Sequence, residues 1–194
     1  LVGLNTFSTL VSSYATGSVS GNNNVGGLVG INTDAVVADS FASAEVESTG
    51  TNAGGLVGFN SQSRIRNSYA RGRVRGVASV GGLVGTNNGN IRASYATGKV
   101  TGKTRVGGLV GDNTGGSVRA SYWDRNGTGR VFGAGNDDAS SSGIGDDNNR
   151  EDNGERNTLE VYSKTRAALR VATEEETGWY PPAELPEGDA EQYH

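Results

Sequence analysis

Arginine stands at 66, 92 and 119, at intervals of 26 and 27 residues, and a second basic pair, Arg73 and Lys99, is 26 residues apart. Side chains that return at a fixed interval form a row on any stacked architecture. Cations in such a row repel one another modestly in water, so the row invites an anionic partner: a uronate polysaccharide, nucleic acid or an acidic protein segment. The plainer reading is a solvated strand face, where charge is common. Carboxylates offer less. Paired glycosidase carboxylates lie about 5–9.5 Å apart, whereas Asp34 and Asp112 stand three repeats apart, about 14 Å on a stacked β-structure. Asp39, with Glu45 and Glu47 later in the same repeat, is the remaining acidic grouping. No residue is assigned a catalytic role.

Oxygen ligands gather once at the right spacing. Asn149, Glu151, Asn153, Glu155, Asn157 and Glu160 surround Gly154 in the order of a 12-residue calcium loop, with Glu160 placed to chelate through both oxygens. Asn149 stands where Asp is the usual first ligand, Arg156 replaces an apolar residue, and no helix precedes the loop. Two readings stand, a calcium site and a solvated acidic loop. No cofactor is otherwise required. Trp123, Trp179, Tyr180 and Tyr193 offer faces for sugar rings, but Trp123 lies where the repeats end and is expected to cover the last rung.

The chain has 194 residues, with 32 Gly, no Cys, no Met, 34% hydrophobic residues and one histidine, His194. This excludes thiolate chemistry, disulfides and histidine triads, and disfavours a doubly wound enzyme core. No apolar run approaches the roughly 18 residues a membrane helix needs, so no membrane insertion is expected. Leu1 opens in the middle of a repeat, and the chain reads as a fragment of a longer polypeptide.

The repeats supply the positioning elements. GGLVG occurs at 26–30, 54–58, 81–85 and 107–111, with LVG at 1–3. SYATG at 13–17 returns as SFASA, SYARG, SYATG and SYWD, and GSVSG at 17–21 as AEVES, GRVRG and GKVTG. An apolar residue precedes each serine by three, and an asparagine follows each LVG glycine by two, at Asn5, Asn32, Asn60, Asn87 and Asn113. Short apolar segments bounded by Gly, Asn and Ser read as strands, three to a triangular coil. The expected fold is all-β, a parallel β-solenoid (β-helix) of about five 26–28-residue coils over 1–134. Leu28, Leu56, Leu83 and Leu109 form one column and Val19, Val46, Val74 and Val100 another. Glycine serves close approach and positive φ at the corners. The asparagines bond local backbone or their own copies.

These blocks resemble the GLUG repeat, found in large secreted and surface proteins of bacteria and some archaea, including IgA-protease-type and adhesin-like polypeptides. SYWD at 121–124 looks like the terminal variant of such arrays, and residues 164–180 look like the segment that commonly follows them. The resemblance implies display, adhesion or spacing, without a catalytic residue in the repeat.

Charge divides the chain. Residues 1–134 carry 12 basic and 6 acidic residues, a balance of +6, and residues 135–194 carry 5 and 15, a balance of −10. An acidic Gly/Asp/Asn-rich insertion is assigned to 135–156, and a C-terminal capping segment, helical over 157–173, to 157–194. The opposite charges suggest that the acidic part packs back on the solenoid. The function expected is a non-catalytic structural or adhesive segment of an extracellular or cell-surface protein. Its partners are surface glycans or another extracellular polymer, with self-association through solenoid ends and no specific nucleic acid. The alternative is a β-helix that binds or cleaves an anionic glycan. Ice binding is disfavoured, because Thr16 and Thr97 align with Ser43 and Arg71.

Overall fold

The computed structural model describes residues 1–136. The calcium loop at 149–160, the helix expected over 157–173, and all but the first two residues of the acidic insertion lie outside the described residues. So do Trp179, Tyr180 and Tyr193.

The chain winds as a parallel β-solenoid of about five turns, each strand pairing with its copy one repeat on. The widest sheet stacks Val2–Thr6, Val29–Thr33, Val57–Arg66, Val84–Arg92 and Val110–Asn113, extended by Thr9–Val11, Val36–Ala38 and Ser117–Arg119. A second sheet stacks Tyr14–Ala15, Phe41–Ala42, Tyr69–Ala70, Tyr95–Ala96 and Tyr122–Trp123. A third runs through Val19, Val46, Val74 and Val100.

The coil has four sheets rather than the three sides read from the repeats. Val25–Gly26, Thr51–Gly54, Ala78–Gly81 and Thr104–Gly107 form a sheet of their own. Their apolar residues look like the start of GGLVG, but the double glycine turns the chain and separates them from the LVG strand. A Cβ on Gly54 would collide with the Val57 carbonyl oxygen of the same coil and come within 2.6 Å of the Gly85 nitrogen of the next. Glycine therefore supplies close approach, as expected. The left-handed corners are a different matter, because most are not glycine. Ser12, Asp39, Asn67, Ala93 and Ala120 occupy one corner, with φ between 44° and 51°. Asn24, Asn52, Ser79 and Arg105 occupy another. Asn and Asp tolerate this conformation, but Ser, Ala and Arg resist it, so at those positions the pairing on either side of the corner must hold it.

The core follows from strand alternation. Leu28, Leu56, Leu83 and Leu109 stack at 0–1% exposure, packed with Val37, Ile65, Ile91 and Val118. A second apolar column holds Val46, Val74 and Val100 against Val25, Ala53 and Val80.

Two polar ladders lock the register. Asn5 donates to Asn32 at 2.8 Å, Asn32 to Asn60 at 2.9 Å, Asn60 to Asn87 at 2.8 Å and Asn87 to Asn113 at 2.9 Å, amide to amide. Each repeat serine donates to the carbonyl two residues back, as Ser68 does to Arg66 at 2.7 Å, and accepts the N–H of the serine one coil earlier. One-residue slips would leave these buried groups unpaired, which costs about 1–3 kcal/mol each.

The C-terminal rung is closed by residues that follow SYWD. Asp124 caps the short helix Arg125–Thr128, accepting from the backbone N–H groups of Asn126 and Gly127. Trp123 lies over Gly108 and donates its indole N–H to the Arg130 carbonyl at 3.1 Å. Arg130 donates in turn to the Val100 carbonyl. Leu109 and Val110 then bond to Gly133, and Ala134 bridges Val110. The last rung is thus covered by residues 123–136.

Candidate functional site

Alternation about the inward Ile65, Ile91 and Val118 turns Arg66, Arg92 and Arg119 outward on the wide sheet. Pairing aligns Arg66 with Arg92 and Arg92 with Arg119. The three therefore form one row along the axis at about 4.8 Å per rung. Arg92 and Arg119 are exposed, and Arg66 is half-buried. The repulsion between neighbours is on the order of 1 kcal/mol in water, small beside the pairing that imposes the row.

The parallel column two residues earlier adds Arg64, Asn90 and Ser117, also in register. Ser117 accepts from the Arg119 guanidinium Nε at 3.2 Å and steers that side chain along the face. The motif alignment alone missed Arg64 and Asn90. The signal that finds them is their position two residues from an arginine already in the row, on the same side of the strand. In the earlier coils the two columns continue as Thr9 and Val36 and as Val11 and Ala38. No acidic residue occupies either column.

Arg73 and Lys99 also share a column, since Val74 pairs with Val46 and with Val100. The same register places Glu45 in that column below Arg73 and pairs Arg75 with Glu47. This second row is of mixed charge. Arg105 is held by Asp112 at 3.2 Å.

The acidic candidates are not gathered. Asp112 lies in the column of Ile31, not that of Asp34. Asp39 is fully buried at its corner, where Asn67 donates to Oδ1 at 3.0 Å and Oδ2 has no hydrogen-bond partner among the described residues. Glu45 and Glu47 are exposed on another sheet. Among the described residues no group of three or more His, Cys, Asp or Glu side chains is placed to hold a metal.

The sequence reading also passed over an aromatic stack. Tyr14, Phe41, Tyr69 and Tyr95 lie face to face, with ring centroids 5.3, 4.9 and 5.0 Å apart and planes within 9° of parallel. The signal was present in every SYATG block, one residue after the serine. Burial pushes the Tyr69 hydroxyl above its ordinary pKa, opposed by the nearby Arg71 charge. Phe41, Tyr69 and Tyr95 are buried in this stack, and Tyr14 at its open end is exposed.

The family model described as the GLUG motif matches residues 21–47, 49–75 and 76–101. Each match covers one turn of the solenoid. Comparison with curated proteins and with solved structures gave no match. Among the described residues no helix is long and apolar enough to cross a membrane.

Proposed function

We propose, for a chain whose residues 21–101 are three GLUG motifs stacked as successive turns of a β-solenoid, that it is a non-catalytic, adhesive repeat segment of a larger extracellular or cell-surface protein. GLUG motifs occur in secreted and surface proteins, which supports that location. The coils act as a rigid display surface, and the wide sheet contacts an anionic polymer, a surface glycan above all.

The observation that carries this reading is the register that aligns Arg66, Arg92 and Arg119 on consecutive rungs in columns free of acidic residues. Binding is favoured over cleavage because the face gathers guanidinium groups and no carboxylate pair. The reading needs no cofactor. Calcium, as a separate proposal, belongs to the loop at 149–160.

A glycan array probed with the whole chain at two salt concentrations tests this. Anionic glycans should be retained at low salt and released as salt screens the contacts. Replacing Arg66, Arg92 and Arg119 together by Gln should reduce retention at least tenfold. Undiminished retention by that triple variant would overturn the role given to this face.

A further inference from the structure

Resting on that reading, we infer that the arginine face binds one linear carboxylated polysaccharide laid parallel to the solenoid axis, with successive uronate units on successive rungs.

The direction follows from the rows. Arg66, Arg92 and Arg119 are related by single rung steps of about 4.8 Å, so their charges line up along the axis and not across it. A polymer running along one strand, at right angles to this row, would meet one arginine of the row and leave two unused. One lying along it meets all three.

The choice of carboxylate follows from the donors. Each guanidinium presents a planar fork that matches a carboxylate with two parallel N–H bonds. Arg119 is held along the face by Ser117, which limits the freedom lost on binding.

The polar neighbours favour sugar over the other polyanions. Arg64, Asn90 and Ser117 form a second row beside the arginines. Thr33, Ser61 and Asn88 form a third on the same sheet. Amides and hydroxyls of this kind donate to and accept from sugar hydroxyls at each rung. Single-stranded nucleic acid adds stacking of its bases on aromatic faces to its phosphate contacts, and Phe41, Tyr69 and Tyr95 are instead buried in a stack of their own in the adjacent sheet. An acidic peptide that added itself as a strand would need an unpaired sheet edge. The strands that carry Arg66 and Arg92 are already paired on both sides, and of the three arginine strands only Ser117–Arg119, at the end of the rod, has an open edge, so an added strand would lie beside Arg119 and not along the row.

The test measures binding of oligogalacturonates of two, four and eight units to the whole chain by calorimetry, with polyglutamate and single-stranded DNA as rival probes. Affinity is expected to rise at least tenfold from the dimer to the tetramer and to level off beyond it, because three arginine rungs are then filled. Arg92→Gln should weaken tetramer binding about tenfold, and Arg92→Lys should restore only part of it, since the ammonium cannot make the paired bonds. Arg73→Gln, in the row of mixed charge, should change affinity less than twofold. Equal affinity for polyglutamate or DNA, or no dependence on oligomer length, would overturn the uronate inference and leave the polyanion surface standing. Failure of every polyanion to bind would overturn both.

Discussion

Gly55→Ala is expected to destabilise the fold by about 3 kcal/mol, the upper part of the range for forcing atoms into a packed interior. A Cβ at this position would lie 2.8 Å from the Ala70 Cβ and 3.2 Å from the Gly82 carbonyl carbon, with the Gly82 oxygen closer still. Neither neighbour has room to yield. Ala70 is fully buried in the apolar column, and Gly82 sits in the backbone beside the bond from Leu56 to Leu83, 2.8 Å. Moving that carbonyl would strain rung pairing on both sides. Alanine restricts the unfolded chain, which by itself favours the variant by about 0.4–1 kcal/mol, so a net loss isolates the steric term. Gly3→Ala is the matched control: a Cβ there meets nothing within 4 Å, and stability should stay within about 0.5 kcal/mol. Urea midpoints measure both. A Gly55→Ala protein as stable as its parent would mean that the rungs are not stacked as closely as described.

The second large effect is expected at Asn60, which is fully buried in the middle of the amide ladder. Asn60→Ala removes the acceptor of the Asn32 amide and the donor to the Asn87 oxygen. At about 1–3 kcal/mol for each of the two groups, the loss should total about 2–6 kcal/mol. The Asn87 oxygen keeps a longer bond from the Gly89 N–H, 3.3 Å, so the Asn32 side is the more exposed to damage. Asn60→Asp should be worse than Ala, because a buried carboxylate accepts from Asn32 but faces the Asn87 oxygen with no proton to offer. Denaturation midpoints and amide exchange at Asn32 and Asn87 would read the effect. If Asn60→Asp matched the parent at neutral pH, the ladder would not be the register lock assigned to it.

The repeat period carried most of the architecture, because each side chain that returns every 26–28 residues occupies one column. Leu56, Asn60, Ser68 and Arg66 could be placed in their columns before any coordinates. The fourth sheet was hidden because Val25, Ala53 and Val80 adjoin the double glycine and look continuous with the strand after it. The corners were hidden for a different reason. Phe7, Ala93 and Arg105 have no local preference for positive φ, and their conformation comes from pairing on both flanks. The cap over 124–136 occurs once, so nothing in the repeat announces it. The arginine row was readable from spacing alone, whereas the acidic neighbours of Arg73 and the polar row beside Arg92 needed the strand register.

Spin labelling tests the in-register arginine row most directly, and the chain has no native cysteine to interfere. Nitroxides attached after Arg66→Cys and Arg92→Cys would sit one rung apart, about 4.8 Å between backbones, and so would those at 92 and 119. Both double-labelled chains should show strong spin–spin broadening, weaker for the 66 and 119 pair at two rungs. Spectra from the 66 and 92 pair as narrow as those of the singly labelled chains would contradict the stacked register, and with it the binding face built on it.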